Sequence, residues 1–311
     1  MVSARNELVP IRTVSQMTGV NPVTLRAWER RYGLVKPKRT PKGHRLYSRD
    51  DIDLINRVLA LLDRGMSIGQ VRHALENESA EVEPSVDDDT WTLYRRRMLG
   101  AITRFDEAEL EEVYNESLAL YPVSLVTRHL IVPLLEDLGL RWEKGEGTVA
   151  EEHFFGSYLR NKLGARFHHR PRQALGDRLI MACLPDEYHE IGLLLVALAA
   201  SNRGYDIVLL GANMPLEELP AAVEQARADG IVLSGSTRPD EDVIRQRLAP
   251  VVESANVPVF VGGYGPSQVA ELIVSIGAIP VGTDLDSGLR TLTDYMDRRR
   301  GQGYTPRRRS N

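Results

Sequence analysis

Five short apolar runs recur after residue 177: RLIMACLP (178–185), YDIVLLG (205–211), IVLSGS (231–236), VPVFVGG (257–263) and AIPVG (278–282), each followed by a helical stretch. A strand with one wet face alternates apolar and polar residues, whereas a continuous apolar run needs cover on both faces. Strands separated by helices pair in parallel, because a parallel pair needs a crossover of helix length. The expectation for this half of the chain is an α/β doubly wound, flavodoxin-like domain. Such sheets take their ligands outside the carboxyl ends of the strands, where the strand order reverses.

The other end of the chain differs in charge. Residues 1–78 hold 14 Lys/Arg against 8 Asp/Glu, and the remainder holds 25 against 35. A basic head on an acidic body suits contact with a polyanion. Ser15 to Gly19 reads as a helix closed by a glycine turn. Asn21-Pro22 opens a second helix running to Tyr32, with Asn as cap, Pro in the first turn and Gly33 as terminator. Pro37, Pro41 and Gly43 punctuate an extended hairpin, and Asp50 or Asp51 opens the next helix. A helix-turn-helix followed by a basic wing is the geometry of a major-groove reader.

Within that stretch Arg26, Trp28, Glu29, Arg30, Arg31, Tyr32, Gly33, Leu34, Pro37, Arg39, Gly43, Arg45 and Tyr47 closely resemble the MerR family. The resemblance implies a winged helix-turn-helix DNA-binding domain over residues 1–78, with a double-stranded DNA operator as partner. Thr24, Arg26 and Arg30 are then expected to face bases or phosphates, and Arg39, His44, Arg45 and Tyr47 to hold the duplex backbone. Trp28 is read as a core aromatic.

Residues 79–90 are acidic and carry Pro and Ser, which reads as a linker. Residues 91–172 read as a four-helix bundle, with a helix capped by Asp106, a second over Leu125–Leu140, a third over Val149–Phe167 and a fourth around Trp91. The sheet domain is expected over 173–300, and 301–311 as a basic disordered tail, the polar character starting near residue 298. No apolar run has membrane-spanning length, and the opening MVSARNELVP lacks a signal-peptide stretch. The single cysteine, Cys183, excludes a disulfide scaffold and a multi-cysteine zinc site. These features set the expectation of a cytoplasmic protein with no membrane contact.

The first apolar run leads into Glu187-Tyr188-His189-Glu190-Ile191-Gly192, which puts a histidine at the sheet's carboxyl edge. A carboxylate two residues earlier can orient the imidazole and raise its basicity, as outer partners do for metal ligands. Gly192 lets a bulky group approach the backbone. Small residues end the third and fourth runs, Ser234-Gly235-Ser236 and Gly262-Gly263. The set Glu-x-His-x-x-Gly, 41 residues, Ser-x-Ser, 25 residues, Gly-Gly resembles the cobalamin-binding domain shared by methionine synthase and the base-off mutases. By that resemblance His189 is the lower axial ligand of cobalt, and Ser234, Ser236 and Gly262 line a slot for the nucleotide tail. Glu187 stands where Asp is commoner, and Ser236 where Leu is commoner.

Trp142, nine residues, then Glu152-His153 is similar to the bundle motif of the CarH and LitR photoreceptor regulators, which join a MerR reader, a bundle and a cobalamin domain in this order. The resemblance implies that Trp142 caps an upper adenosyl group and that Glu152 and His153 line the same face. In light-sensing members a histidine follows the tryptophan and binds cobalt after photolysis; here the residue is Glu143, with His129 and His153 as other imidazoles in the bundle. The implied protein is not an enzyme but an adenosylcobalamin-dependent repressor, responsive to light, tetrameric with cofactor and smaller after light. The alternatives are a light-independent cobalamin sensor and a corrinoid-carrying methyltransferase module using methylcobalamin or another corrinoid. The second lacks room for a catalytic barrel of about 250 residues.

Overall fold

A computed structural model describes residues 8–76, 90–168 and 176–304. The chain forms two compact units, Met1–Phe155 and Gly156–Asn311. Residues 79–89 of the expected linker and the boundary between the expected bundle (91–172) and sheet domain (173–300) lie outside the described residues.

The first unit begins with β1 (Val9–Pro10) and α1 (Ile11–Thr18), which starts earlier than the sequence suggests. Helix α2 (Pro22–Ala27) has the expected start: the Asn21 side chain accepts from the Val23 amide at 2.8 Å. The helix continues in a wider turn over Trp28–Tyr32 and stops at Gly33, whose φ of 62° is left-handed. Strands β2 (Lys38–Arg39) and β3 (Arg45–Tyr47) form the wing, and β3 pairs antiparallel with both β1 and β2. Helix α3 (Arg49–Asp63) opens one residue before the expected aspartates, because Ser48 and Asp51 cap one another reciprocally. Helix α4 (Ile68–Glu76) closes the module.

Four helical segments follow among the described residues. They are α5 (Thr90–Thr103), α6 (Glu107–Leu120), the pair α7 (Val123–Val126) and α8 (Val132–Glu143), and α9 (Val149–His168). Asp106 caps α6 by accepting from the Glu109 amide at 3.0 Å. The wide turn over Thr127–Ile131, between α7 and α8, precedes Pro133. Proline lacks the N–H that would bond four residues back, and a widened turn absorbs the missing bond. The proline explains why the expected single helix carries an irregularity. Helix α9 starts in the first unit and continues in the second.

The second unit holds five parallel strands: β4 (Arg178–Cys183), β5 (Asp206–Gly211), β6 (Gly230–Ser234), β7 (Val259–Gly262) and β8 (Ile279–Gly282). Their order, β5-β4-β6-β7-β8, is the flavodoxin-like one. Between them run α10 (Ile191–Asn202), α11 (Leu219–Ala226), α12 (Ala249–Ser254), α13 (Tyr264–Ser267) and α14 (Ala270–Ser275), and α15 (Leu285–Gly301) follows. The apolar runs are explained by two cores. Ile180, Ile231 and Val259 pack on one face with Val223 and Ile273, and Met181, Val232 and Phe260 on the other with Leu193 and Leu292. The order reverses between β4 and β6, where Cys183 pairs with Ser234.

The carboxyl-terminal end departs from the expected tail. Helix α15 runs to Gly301, and the Tyr304 hydroxyl donates to Asp229 at 2.7 Å while Arg299 stacks over the Tyr304 ring. Residues 305–311 lie outside the described residues. Among the described residues no helix is long and apolar enough to cross a membrane.

Ser48→Ala removes one half of the reciprocal cap, and a cap of this kind is worth about 0.5–2 kcal/mol. The variant should lose stability in that range, as read from a denaturant melt that leaves the slope unchanged.

Candidate functional site

The loop after β4 is built around one buried carboxylate. Asp186 turns the chain at a φ of 61°, and the Glu187 side chain folds inward, 2% exposed. Its Oε1 accepts from the His189 amide at 2.8 Å and lies 2.7 Å from His189 Nδ1. Its Oε2 accepts from the Ser236 amide at 2.5 Å, the Ser236 hydroxyl at 2.7 Å and the Thr237 amide at 3.1 Å. Burial alone raises the Glu187 carboxyl, but the bonds from His189 and Ser236 outweigh it and bring it down to about 2. Glu187 is therefore ionised and purely an acceptor at neutral pH, so the proton between it and His189 sits on Nδ1. That tautomer places the ring's lone pair on Nε2. The His189 side chain is 56% exposed, so the loop carries a pre-oriented imidazole at the switch point of the sheet. Cys183, just beneath, is a buried thiol pushed up to about 12 and chemically quiet.

Close backbone approach accounts for the glycines. A Cβ on Gly263, whose φ is 104°, would lie 2.1 Å from Gly235 O, and one on Gly265 would lie 1.7 Å from Thr237 O. The loops after β6 and β7 thus touch through bare backbone. Gly262 meets Val281 in the same way, at 2.6 Å, so its smallness serves strand packing. A Cβ on Gly192 would lie 3.9 Å from Ser234 Oγ, ordinary contact distance, at the start of α10. Ser236, expected to line the slot, is exposed, donates its hydroxyl to Glu187 and lies 3.0 Å from His189 Nδ1. These residues fit a corrinoid: one imidazole for the metal, a carboxylate behind it, and small residues around the strand ends.

Sequence reasoning missed Asn213 and Thr237. Asn213, at a φ of 48°, accepts from the Asp186 amide at 2.9 Å and donates to the Tyr188 hydroxyl at 3.1 Å, pinning the histidine loop from β5. An Asn after Gly211 was the one available hint, since Asn tolerates a left-handed turn. Arg160 of α9 also pairs with Glu190, next to His189.

In the bundle Trp142 is 53% exposed at the end of α8, so it is no core residue. Glu152 is partly exposed and His153 exposed, both on the first turns of α9. His129 stacks on Trp91 and lies 3.5 Å from Asp63, so it is engaged within the first unit.

The DNA-reading candidates separate into two groups. Arg26, Arg30, Arg39 and His44 are exposed. Arg45 is mostly buried; both Arg39 and Arg45 pair with Glu29, bracing the wing against the helix. Burial raises the Glu29 carboxyl, but those two guanidinium groups bring it below its ordinary range. Tyr47 and Thr24 differ from expectation. Tyr47 is fully buried as a core aromatic, and Thr24 is fully buried with its hydroxyl donating to Leu118 O of α6 at 3.3 Å. Trp28 is buried as expected, and its indole N–H donates to Leu120 O at 2.9 Å.

A winged helix-turn-helix, a helical bundle and a doubly wound sheet with a carboxylate-backed histidine define a DNA-binding regulator with a corrinoid-type body. The comparisons agree. The description MerR HTH family regulatory protein matches residues 9–78, and B12 binding domain matches 94–166 and 177–287. The HTH-type transcriptional repressor CarH of Myxococcus xanthus is 36% identical over 273 residues, covering 81% of this chain and 88% of that protein. The repressor CarA of the same organism is 30% identical over 277 residues, covering 86% and 91%. Among solved structures, the Methanosarcina barkeri monomethylamine corrinoid protein matches with a TM-score of 0.53 at 19% identity, covering 66% of this chain and 99% of that one, a likeness of fold alone. The chain belongs to the family of MerR-type transcriptional regulators with B12-binding domains that includes the CarH and CarA repressors.

Gly265→Ala forces a Cβ into the Thr237 carbonyl. Overpacking of this kind costs about 1–3 kcal/mol, so the thermal midpoint of the second unit should fall.

Proposed function

We propose that the chain is an adenosylcobalamin-dependent repressor whose assembly on DNA is set by the cofactor's upper ligand and by light. The observation that supports this best is the Glu187 carboxylate, which fixes His189 in the tautomer that presents Nε2 to a metal. His189 would hold the cobalt, Glu187 and Ser236 would orient its ring, and Ser234, Ser236, Gly192, Gly262 and Gly263 would leave room for the nucleotide tail. When bound, adenosylcobalamin supplies a cobalt–carbon bond that light can cleave. Trp142, with a half-exposed indole, covers the adenosyl group, and Glu152 and His153 line the same face.

With the upper ligand in place the protein is a tetramer that presents paired readers to a palindromic operator, and paired sites gain from effective concentration. Arg26 and Arg30 on the helix and Arg39 and His44 on the wing are the exposed groups that meet the duplex. Loss of the upper ligand acts only through its differential contact with the two assembly states. Glu143 follows Trp142 where light-sensing relatives of this type carry a histidine, so a lit state would not form through an imidazole at that position.

His189→Ala should abolish tight binding of adenosylcobalamin, and Glu187→Gln should weaken it about 10- to 100-fold, as outer partners of metal-bound histidines do. Titration followed by the visible spectrum measures both, and wild-type affinity in His189→Ala would remove the ligand assignment. In a second experiment the cofactor-loaded chain is run on size exclusion in the dark and after green light. A light-dependent spectral change with a drop in assembly size is expected; a spectral change with no change in size would leave a cobalamin sensor whose assembly ignores light.

A further inference from the structure

Helix α6 ends at Leu120, and the carbonyls of its last four residues have no partner inside the helix. Two of them are satisfied from the DNA-reading module. Thr24 donates its hydroxyl to Leu118 O at 3.3 Å, and Trp28 donates its indole N–H to Leu120 O at 2.9 Å. These bonds join residues 94 and 92 positions apart in the chain. Around them Thr24, Leu25 and Trp28 are completely shielded from solvent, and α2 lies along α6. A second contact ties the same two modules: Arg128, in the turn between α7 and α8, pairs with Asp63 at the end of α3. The neighbouring His129 ring lies 3.5 Å from the same carboxylate and stacks on Trp91.

We infer that the end of α6 is a docking site within the chain that holds the reading helix in a state unable to enter DNA. This rests on the reading of the N-terminal module as a DNA binder. The solvent-facing residues of α2 and its wide turn are Val23, Arg26, Arg30 and Arg31. A major groove is about 12 Å wide and a helix with its side chains about 10–12 Å, so a groove encloses an inserted helix on both flanks. The flank that carries Thr24 is closed by α6, in the first turn of α2, where reading helices meet base edges. Docking and insertion are therefore mutually exclusive, and the duplex competes with Leu118 and Leu120 for one helix. The bundle thereby acquires a direct hold on DNA binding that does not depend on how many copies assemble.

The test uses the full chain and a duplex that the protein itself selects from a random-sequence pool. Hydroxyl-radical footprinting read by mass spectrometry is run with and without that duplex. Leu118 and Leu120 should become labelled in the complex as α2 leaves them. If they stay as shielded with DNA bound as without it, docking is not exclusive of reading and the inference is wrong. Arg128→Glu supplies an opposed sign. It removes a positive charge from the protein, which by general electrostatics weakens DNA binding, but it places like charges against Asp63 and opens the dock. The inference expects affinity to rise about five-fold, on the scale of one surface ion pair; unchanged or weaker binding overturns it. A chain that selects no duplex at all would overturn the DNA-binding conclusion and the inference together, whereas selection with a silent footprint removes the docking alone.

Discussion

A carboxylate taken out of water is costly unless hydrogen bonds replace its hydration, and Glu187 receives six of them. Four come from the loop after β6 and two from His189. One ionised side chain therefore joins the two loops that flank the point where the strand order reverses, and the histidine inherits its orientation from that junction. Removing a donor would leave the buried carboxylate under-compensated. The glycines of the neighbouring loop follow from it. With the 235–237 backbone drawn towards Glu187, residues 263 and 265 pass too close for any side chain.

Two features that set this chain apart from the commoner cobalamin-domain pattern turn out to be partners. Glu187 replaces the shorter acid, and Ser236 replaces an apolar residue; the two side chains meet at 2.7 Å. An apolar side chain at 236 would leave Oε2 with two backbone donors and the Thr237 hydroxyl at 3.5 Å. The longer side chain reaches both loops, and the hydroxyl supplies the bond that the extra reach exposes. The substitutions make physical sense together and little sense apart.

Local signals carried most of the fold. The five apolar runs are the five strands because burial on both faces is written residue by residue, and Asn21-Pro22 and Asp106 cap helices because capping is a matter of three adjacent residues. What periodicity cannot carry is a partner far along the chain. Thr24 looked free to read DNA because nothing near it in sequence announces Leu118, and Tyr47 looked like a wing contact because its burial depends on the packing of separate elements. The Arg-rich run near residue 298 read as a solvated tail on composition. Its helix persists to Gly301 because Asp229, 75 residues from Tyr304, accepts that hydroxyl while Arg299 bonds the Asp229 carbonyl at 3.0 Å. Asn213 escaped notice because its role lies in a loop contact with Asp186 and Tyr188, not in any motif.

The two polar junctions of the molecule differ in what it costs to break them, and the difference suits their roles. The Glu187 cluster is charged and buried, so opening it strands a carboxylate; it holds geometry and is not meant to move. The contact of α2 with α6 carries two neutral side-chain bonds to carbonyls and shields Leu25 and Trp28, and a surface ion pair between Arg128 and Asp63 joins the same two modules. Neutral bonds of this kind contribute about 0.5–1.5 kcal/mol each and an exposed pair about 0–1 kcal/mol. The advantage of a specific duplex over a non-specific one is about 4–10 kcal/mol. A specific operator has enough free energy to displace the dock, whereas a random sequence bound through phosphates has much less to spend. A dock that must open for either duplex lowers both affinities by the same factor, so a weak one leaves an operator bound while a random sequence falls further below useful affinity.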